Sequence, residues 1–400
     1  MNIEQNIWVI GILVFFFFLF QLNKMVLPKE DYKILNPISI LLGIWSITII
    51  VHATLYTFVE YSCDMYISVI VSVQFFALGF WLMRNKVIVC EREAYLIDYD
   101  LDELKKILRV FTFISFARCL LMTSVVYKVA GSLQMFFTQN TLVRNMYLSR
   151  ENSIQTYFIE LPLSMLTMVG FVVLGIYLGV GNENRLRYLG IWTIFEFIVS
   201  YVTMSKLNMI LYGFVVIFTY FNFVGEIGIQ KRIIKRLVPV ILIALLAFLF
   251  IIANQRNYQE TEPGWQFVIR KAFMYIASPF EAYGKFLEEY ERNQLVINVT
   301  DVGDGRTNVF TWLKAFVQYL SYAGIAVCPG VMGMIAGALY NPREKNIFWI
   351  TASAWTNCMI FMSFYSYLWV HLSYFVCIPL SFIINVIVTK KMYYIVEQSL

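Results

Sequence analysis

Long apolar blocks alternate with short polar connections along the whole chain. Most approach the roughly 17–25 residues a helix needs to cross about 30 Å of hydrocarbon. The blocks fall at about 7–22, 37–58, 66–83, 110–130, 157–180, 188–204, 207–224, 237–253, 320–340, 347–363 and 368–389, which predicts about eleven transmembrane helices. The last two blocks form one run too long for a single helix. The division is set near Ser366, between Tyr365 and Tyr367, whose rings suit a membrane interface. The first block is expected to stay as a helix. Its lead-in carries Glu4 and no Lys or Arg, and no small-residue cleavage site follows.

Two polar segments interrupt the short connections, at about 131–156 and 254–319. The expected organisation is therefore helices one to eight over 1–253, a large loop over 254–319, and helices nine to eleven with a tail over 320–400. The large loop is long enough to be functional, and its pattern is helical in parts. Trp265, Val268, Ile269, Ala272, Phe273 and Ile276 share a face opposite Gln266, Arg270 and Lys271, which predicts an amphipathic helix lying on a membrane surface. Ser278-Pro-Phe-Glu281 reads as a capping box opening a second helix, with Phe280, Tyr283, Leu287 and Tyr290 on one side. A third segment, from Asn308, gathers Val309, Trp312, Phe316 and Leu320 and runs into the ninth block.

Composition agrees with the pattern: 60% of the 400 residues are hydrophobic, 18% aromatic and only 14% charged, more apolar surface than one water-soluble core absorbs. Charge then orients the chain. Lys and Arg occupy every second loop, with Lys24, Lys29 and Lys33 after the first block and Arg84, Lys86, Arg92, Lys105, Lys106 and Arg109 after the third. Arg185 and Arg187, then Lys231 to Arg236, then Arg343 and Lys345, and finally Lys390 and Lys391 continue the alternation. The segment Val59 to Asp64 between two of these loops has Glu60 and Asp64 and no basic residue. The amino terminus is thus expected outside and the carboxy terminus in the cytoplasm. The net charge of +5 is a topological signal and gives no reason to expect nucleic acid.

Familiar catalytic signatures do not occur: there is no Gly-rich phosphate loop, no Gly-x-Ser-x-Gly and no His-Glu-x-x-His. The six cysteines are scattered without a Cys-x-x-Cys pair, which argues against a zinc site or a disulfide framework. No metal or cofactor is expected. The two histidines, His52 and His371, fall near outer helix ends. Gly330, Gly333 and Gly337 suit close packing of the ninth helix on a neighbour. Arg118 and Glu196, inside blocks four and six, are costly in hydrocarbon unless paired, and a pair between those two helices is expected.

The remaining feature is a set of outward arginines, Arg144, Arg150, Arg256, Arg270 and Arg306. Arg256 stands out because Ala-Asn-Gln-Arg follows directly on an apolar block, fixing the guanidinium at the outer interface. Each alone can be an interfacial anchor. Together they suit an anionic ligand, because a guanidinium fork matches phosphate oxygens and stays charged at any working pH.

The stretch Asp304-Gly-Arg-Thr-Asn-Val-Phe-Thr-Trp-Leu313, followed by Leu320-Ser-Tyr-Ala-Gly-Ile-Ala-Val-Cys-Pro-Gly through Tyr340, resembles the Wzy-type polymerases of bacterial surface polysaccharides. Asn308 to Leu313 fits the Asn-Val-Tyr-Thr-Tyr-like run of that family. Ser321 to Gly324 fits its Asp-Phe-Gly patch loosely, without the acidic residue. Ser205-Lys206 sits where the family often has Ser-Arg, and Asn36-Pro37 and Met362 to Tyr365 are also similar. The resemblance implies a polymerase that joins undecaprenyl-diphosphate-linked oligosaccharide repeat units at the outer face of the bacterial inner membrane. It implies a fold similar in outline to the GT-C glycosyltransferases, no cofactor, and a flippase and a chain-length regulator as partners besides the lipid-linked sugar and the bilayer. In that reading Arg256 and Arg306 are catalytic, and Arg144, Arg150, Arg270, Asn308 and Trp265 hold substrate. The base is drawn from Glu260, Glu262, Asp301, Asp304 and His371, with no choice among them. O-antigen ligase and polysaccharide flippase or other transporter are the alternatives, the latter expected to show an internal repeat and paired mid-membrane charges. A membrane acyltransferase would need a membrane histidine as base, for which His371 is the candidate.

Overall fold

A computed structural model describes residues 3–28, 32–33, 35–55, 63–90, 94–132, 134–135, 143, 154–180, 185–203, 206–224, 264–293, 300–302, 305–307, 311–340, 346–365 and 372–395. These are overwhelmingly helical. Seven helices among the described residues are long and apolar enough to cross a membrane, so the chain is an α-helical membrane protein. The eighth block, 237–253, lies outside the described residues. The sixth is helical, but Arg185, Arg187 and Glu196 make it less apolar than the seven.

The chain divides into two compact units. The first comprises Met1–Arg92, Ile269–Asn341 and Thr356–Val370. It contains α1 (Ile3–Val26), α2 (Pro37–Leu55), α3 (Cys63–Cys90), most of α8 (Gly264–Asn293), the β2–β3 hairpin (Thr300–Val302 and Gly305–Thr307), α9 (Trp312–Leu320) and α10 (Gly324–Leu339). On α1 the residues Ile7, Ile10, Val14, Phe17 and Phe18 are exposed while Val9, Ile12, Phe16 and Leu19 are buried. A row of large apolar side chains left outward is what a lipid-facing surface requires, since hydrocarbon imposes no penalty on it.

Glycines set the centre of this unit. A Cβ at Gly333 would stand 2.1 Å from the Phe76 carbonyl oxygen, one at Gly79 2.1 Å from that of Gly330, and one at Gly337 2.5 Å from that of Phe80. The register advances along both helices together, so α3 and α10 run parallel with their backbones touching. In lipid, apolar burial drives little association, and close backbone approach supplies the van der Waals contact instead. The expected packing role of the glycine series is met. At the far end Arg84, 2% exposed, donates from Nη1 to the Tyr340 carbonyl oxygen at 2.7 Å and lies 5.5 Å from the centre of that ring. It covers one of the carbonyls that end α10.

Asn36-Pro37 is the start of α2: the Asn36 side chain accepts from the Ser39 N–H at 2.9 Å, with Pro37 in the first helical position. Asn23 donates to Asn36 at 3.0 Å and accepts from Trp81 at 3.0 Å, and the Lys33 N–H donates to the Tyr340 hydroxyl at 3.0 Å. These bonds tie the Lys-bearing turn before α2 to the Arg84 end of α3 and the end of α10.

The second unit comprises Glu93–Val268, Pro342–Trp355 and His371–Leu400. It holds β1 (Ala94–Tyr99), α4 (Leu101–Ala130), α5 (Ile154–Val180), α6 (Arg185–Thr203), α7 (Lys206–Val224), the first part of α11 (Ile347–Phe361), α12 (Leu372–Val388) and β4 (Thr389–Ile395). Gly170 of α5 makes room for the Trp192 ring, which would meet a Cβ at 2.4 Å, and Trp192 donates to Thr112 at 3.0 Å. Thus α4, α5 and α6 are locked by one indole. β1 pairs antiparallel with β4, Asp98 opposite Lys391.

Several expectations need correction. Ser278 opens no new helix: α8 runs unbroken from Gly264 to Asn293 with Pro279 inside it. Its side chains Ala277, Phe280, Tyr283 and Leu287 are buried in protein, while Phe273, on the face expected to lie on a membrane surface, is exposed. Lys105, Lys106 and Arg109 are on α4, whose first turn is capped by Asp100. The segment from 312 is a separate short helix, ended by a 3-10 turn at Ser321–Ala323 before α10. Two short ribbons add strand to a fold expected to be wholly helical, because their backbone groups, beyond the helix ends, still need partners.

Candidate functional site

Among the described residues, two pairs of ionisable side chains are buried between helices. In the second unit Arg118 of α4 meets Glu196 of α6, its Nη1 3.1 Å from both carboxylate oxygens. The side chains are 2% and 0% exposed. That is the pair the sequence predicts. One guanidinium nitrogen serves both oxygens, and Arg118 Nε makes no hydrogen bond, so the geometry falls short of the two-nitrogen fork.

The other pair was not foreseen. His52, three residues from the end of α2, has Nε2 3.0 Å from Oε2 of Glu281 on α8. They are 0% and 2% exposed. Phe280, next to Glu281, is a knob in an aromatic socket: its ring centre is 5.0 Å from His52, 5.7 Å from Trp45 and 5.9 Å from Tyr66. Gly284, one turn on, admits Met65, whose sulfur would be 2.9 Å from a Cβ there. Lys285 brings its ammonium to 4.0 Å from the other Glu281 oxygen. Tyr283 lies beside this site, and burial pushes its phenol well above the ordinary range, so it stays protonated.

α8 is therefore fastened to the end of α2 through a His–Glu couple, and Tyr66 and Met65 of α3 pack on it. Shape sets the position of α8, and the His52–Glu281 hydrogen bond adds direction to it. Glu281→Leu should loosen α8 by about 1–3 kcal/mol, the cost of a buried polar partner left unmatched. Glu281→Gln, which keeps a hydrogen bond, should lose less. Amide exchange over 276–290 measures this, and unchanged protection in Glu281→Leu would assign the docking to the aromatic socket alone. One sequence signal could have found the pair. Glu281 stands among Ala277, Phe280 and Gly284 on the apolar face of an amphipathic helix, where a carboxylate needs a partner.

Of the residues expected to form a site, Arg144, Arg150, Arg256, Glu260, Asp304, Asn308 and His371 lie outside the described residues, as do Glu262 and Ser205. Arg306 is on β3, directly opposite Asp301 of β2. Trp265 and Arg270 are in the first two turns of α8. Among the described residues no three His, Cys, Asp or Glu side chains gather as a metal ion would require. No protein-family model matches the chain, and neither a curated protein nor a solved structure does.

Proposed function

We propose that this protein polymerises undecaprenyl-diphosphate-linked oligosaccharide repeat units at the outer face of a bacterial inner membrane, with its amino terminus outside and about eleven spans in a GT-C-like arrangement. The observation that carries the reading is the stretch from Asp304 to Tyr340, whose sequence resembles the Wzy-type polymerases. In the fold it supplies the second strand of a hairpin, bearing Arg306, then the short helix α9, a tight turn, and the glycine-packed α10. Ser321 in that turn has φ of 54°, a conformation non-glycine residues rarely take.

In the reaction an acceptor sugar hydroxyl attacks the anomeric carbon of the growing chain. A glycosidic C–O bond forms, the bond to the diphosphate oxygen breaks, and the hydroxyl proton passes to a base, for which Glu260, Glu262, Asp301, Asp304 and His371 are the candidates. Undecaprenyl diphosphate leaves as an anion. Arginines placed where that charge develops supply the stabilisation, Arg256 first and Arg306 second. Arg144, Arg150, Arg270, Asn308 and Trp265 would hold the substrate.

The test uses purified protein in lipid with authentic lipid-linked repeat units, no nucleotide sugar and a chelator, with products resolved by gel. A ladder of dimers and longer products is expected, with the rate almost unchanged by the chelator. Arg256→Ala should lower the rate tenfold or more, each factor of ten being about 1.4 kcal/mol of transition-state stabilisation. Arg256→Lys should rescue poorly for want of a planar fork. Absence of any ladder, with intact substrate moving across vesicles, would make the protein a transporter.

A further inference from the structure

The start of α9 carries two buried side-chain donors, on Thr311 and Trp312, that no hydrogen bond uses. Thr311 precedes it as the N-cap residue, 2% exposed, yet its side chain makes no capping bond and its Oγ1 has no hydrogen-bond partner. Trp312, 1% exposed, leaves its indole Nε1 without a partner as well. Buried polar atoms in folded proteins are nearly always matched, so two adjacent exceptions at one helix start call for a physical reason. The backbone adds to them. The Lys314 N–H bonds to the Thr311 carbonyl at 3.2 Å, while the N–H groups of Trp312 and Leu313 have no partner inside the helix. The first-turn amides also make the end of a helix partly positive.

Lys314 adds a full charge. It is the third residue of α9 and 9% exposed, and helical side chains lean toward the amino-terminal end. Its ammonium rests 5.7 Å from the centre of the Phe286 ring of α8. A cation over a ring face is attracted to it, and the four-carbon lysine stem lets the charge reach an anion at the helix start. A hydroxyl, an indole N–H, first-turn amides and an ammonium at one helix start are all donors. Their complement is a multiply charged oxyanion.

We propose that the amino-terminal turn of α9 is a diphosphate-binding site. Thr311 and the first-turn amides take one phosphate group, and Lys314 neutralises it from above. Its ligand on the proposed function is the diphosphate of the lipid-linked donor, so the identity of the ligand, though not the existence of an oxyanion site, rests on that reading. Arg306 and Asn308, three to five residues upstream of Thr311, belong to the same stretch of chain. Binding there holds the leaving group against a pre-formed positive end and draws Lys314 off Phe286, so that occupancy of the site is felt by α8.

The full-length protein in lipid nanodiscs, titrated with undecaprenyl diphosphate and with inorganic pyrophosphate and read by native mass spectrometry, tests the site. Wild-type protein should bind the lipid diphosphate, and pyrophosphate should compete with it. Lys314→Met, which keeps the stem against Phe286, should weaken binding tenfold or more, and Lys314→Arg should restore most of it. Thr311→Val, which removes only the hydroxyl, should weaken binding severalfold. Wild-type affinity in both Lys314→Met and Thr311→Val overturns the site, and so does undecaprenyl phosphate binding as tightly as the diphosphate with no competition from pyrophosphate. The pyrophosphate arm needs no variant and stands even where a substitution impairs folding. Loss of anion binding in the variants of a protein that forms no polymer would sink the polymerase reading and leave the oxyanion site in place. Normal polymer from Lys314→Met with unchanged affinity would do the reverse.

Discussion

Gly333→Val should cost the protein about 3 kcal/mol, at the upper end of what an overpacked core loses. The reason is where the new atoms would go. A Cβ at Gly333 falls 2.1 Å from the Phe76 carbonyl oxygen and 3.0 Å from the Phe80 amide nitrogen. Both are backbone, which cannot rotate aside as a side chain does. The added volume must therefore push α3 from α10 over their whole contact, releasing Gly79 from Gly330 and Gly337 from Phe80 together. Gly330→Ala provides the comparison, because its Cβ would meet only the Phe75 oxygen at 3.8 Å. It should be neutral or slightly stabilising, by up to about 1 kcal/mol from helix propensity. Thermal unfolding of the purified proteins in detergent reads both, and equal melting of Gly333→Val and wild type would mean that these helices do not pack at this separation.

Arg118→Met or Glu196→Leu alone should destabilise by about 3–5 kcal/mol, since each leaves the opposite charge buried without its partner. The double variant should recover most of that loss, because apolar side chains of similar volume in a membrane interior carry no desolvation cost. Four unfolding curves close the cycle. Strictly additive losses would show that the two side chains are not coupled, and would point to separate partners for each. If stability recovers in the double variant while the proposed polymerase activity does not, the pair has a role beyond holding α4 to α6.

Much of this architecture was legible from residue type and spacing. Apolar block length located the helices at 37, 157, 188, 207 and 347 to within a few residues, because crossing hydrocarbon imposes a length that little else does. Charge inside a block announced a partner, and Arg118 found Glu196 on the helix named for it. The glycine spacing from 330 to 337 announced a close neighbour, though not that it would be α3.

Other features were hidden for identifiable reasons. Helices extend past their apolar blocks, as α3 does through Arg84 to Cys90 and α4 from Leu101, because a helix persists into water wherever caps such as Asp100 satisfy its end. Pro279 looked like a start, since proline favours first positions. It lies within α8 because the packing of Phe280, Tyr283 and Leu287 holds the helix through it. The arginines singled out from the sequence fall mainly outside the described residues. The site that emerges instead, Thr311, Trp312 and Lys314, gave no warning: donors on one turn look ordinary until burial shows that two of them lack acceptors.

The sequence by itself determined that the chain lives in a membrane and where many of its helices lie, because the length and composition that hydrocarbon demands act on each segment independently of its neighbours. Only the tertiary structure decided that His52 meets Glu281 across 229 positions, that α3 touches α10 at its glycines, and that Thr311 is buried without a partner. Those are relations between distant segments, fixed by the simultaneous fit of shape and hydrogen bonding that no local pattern encodes.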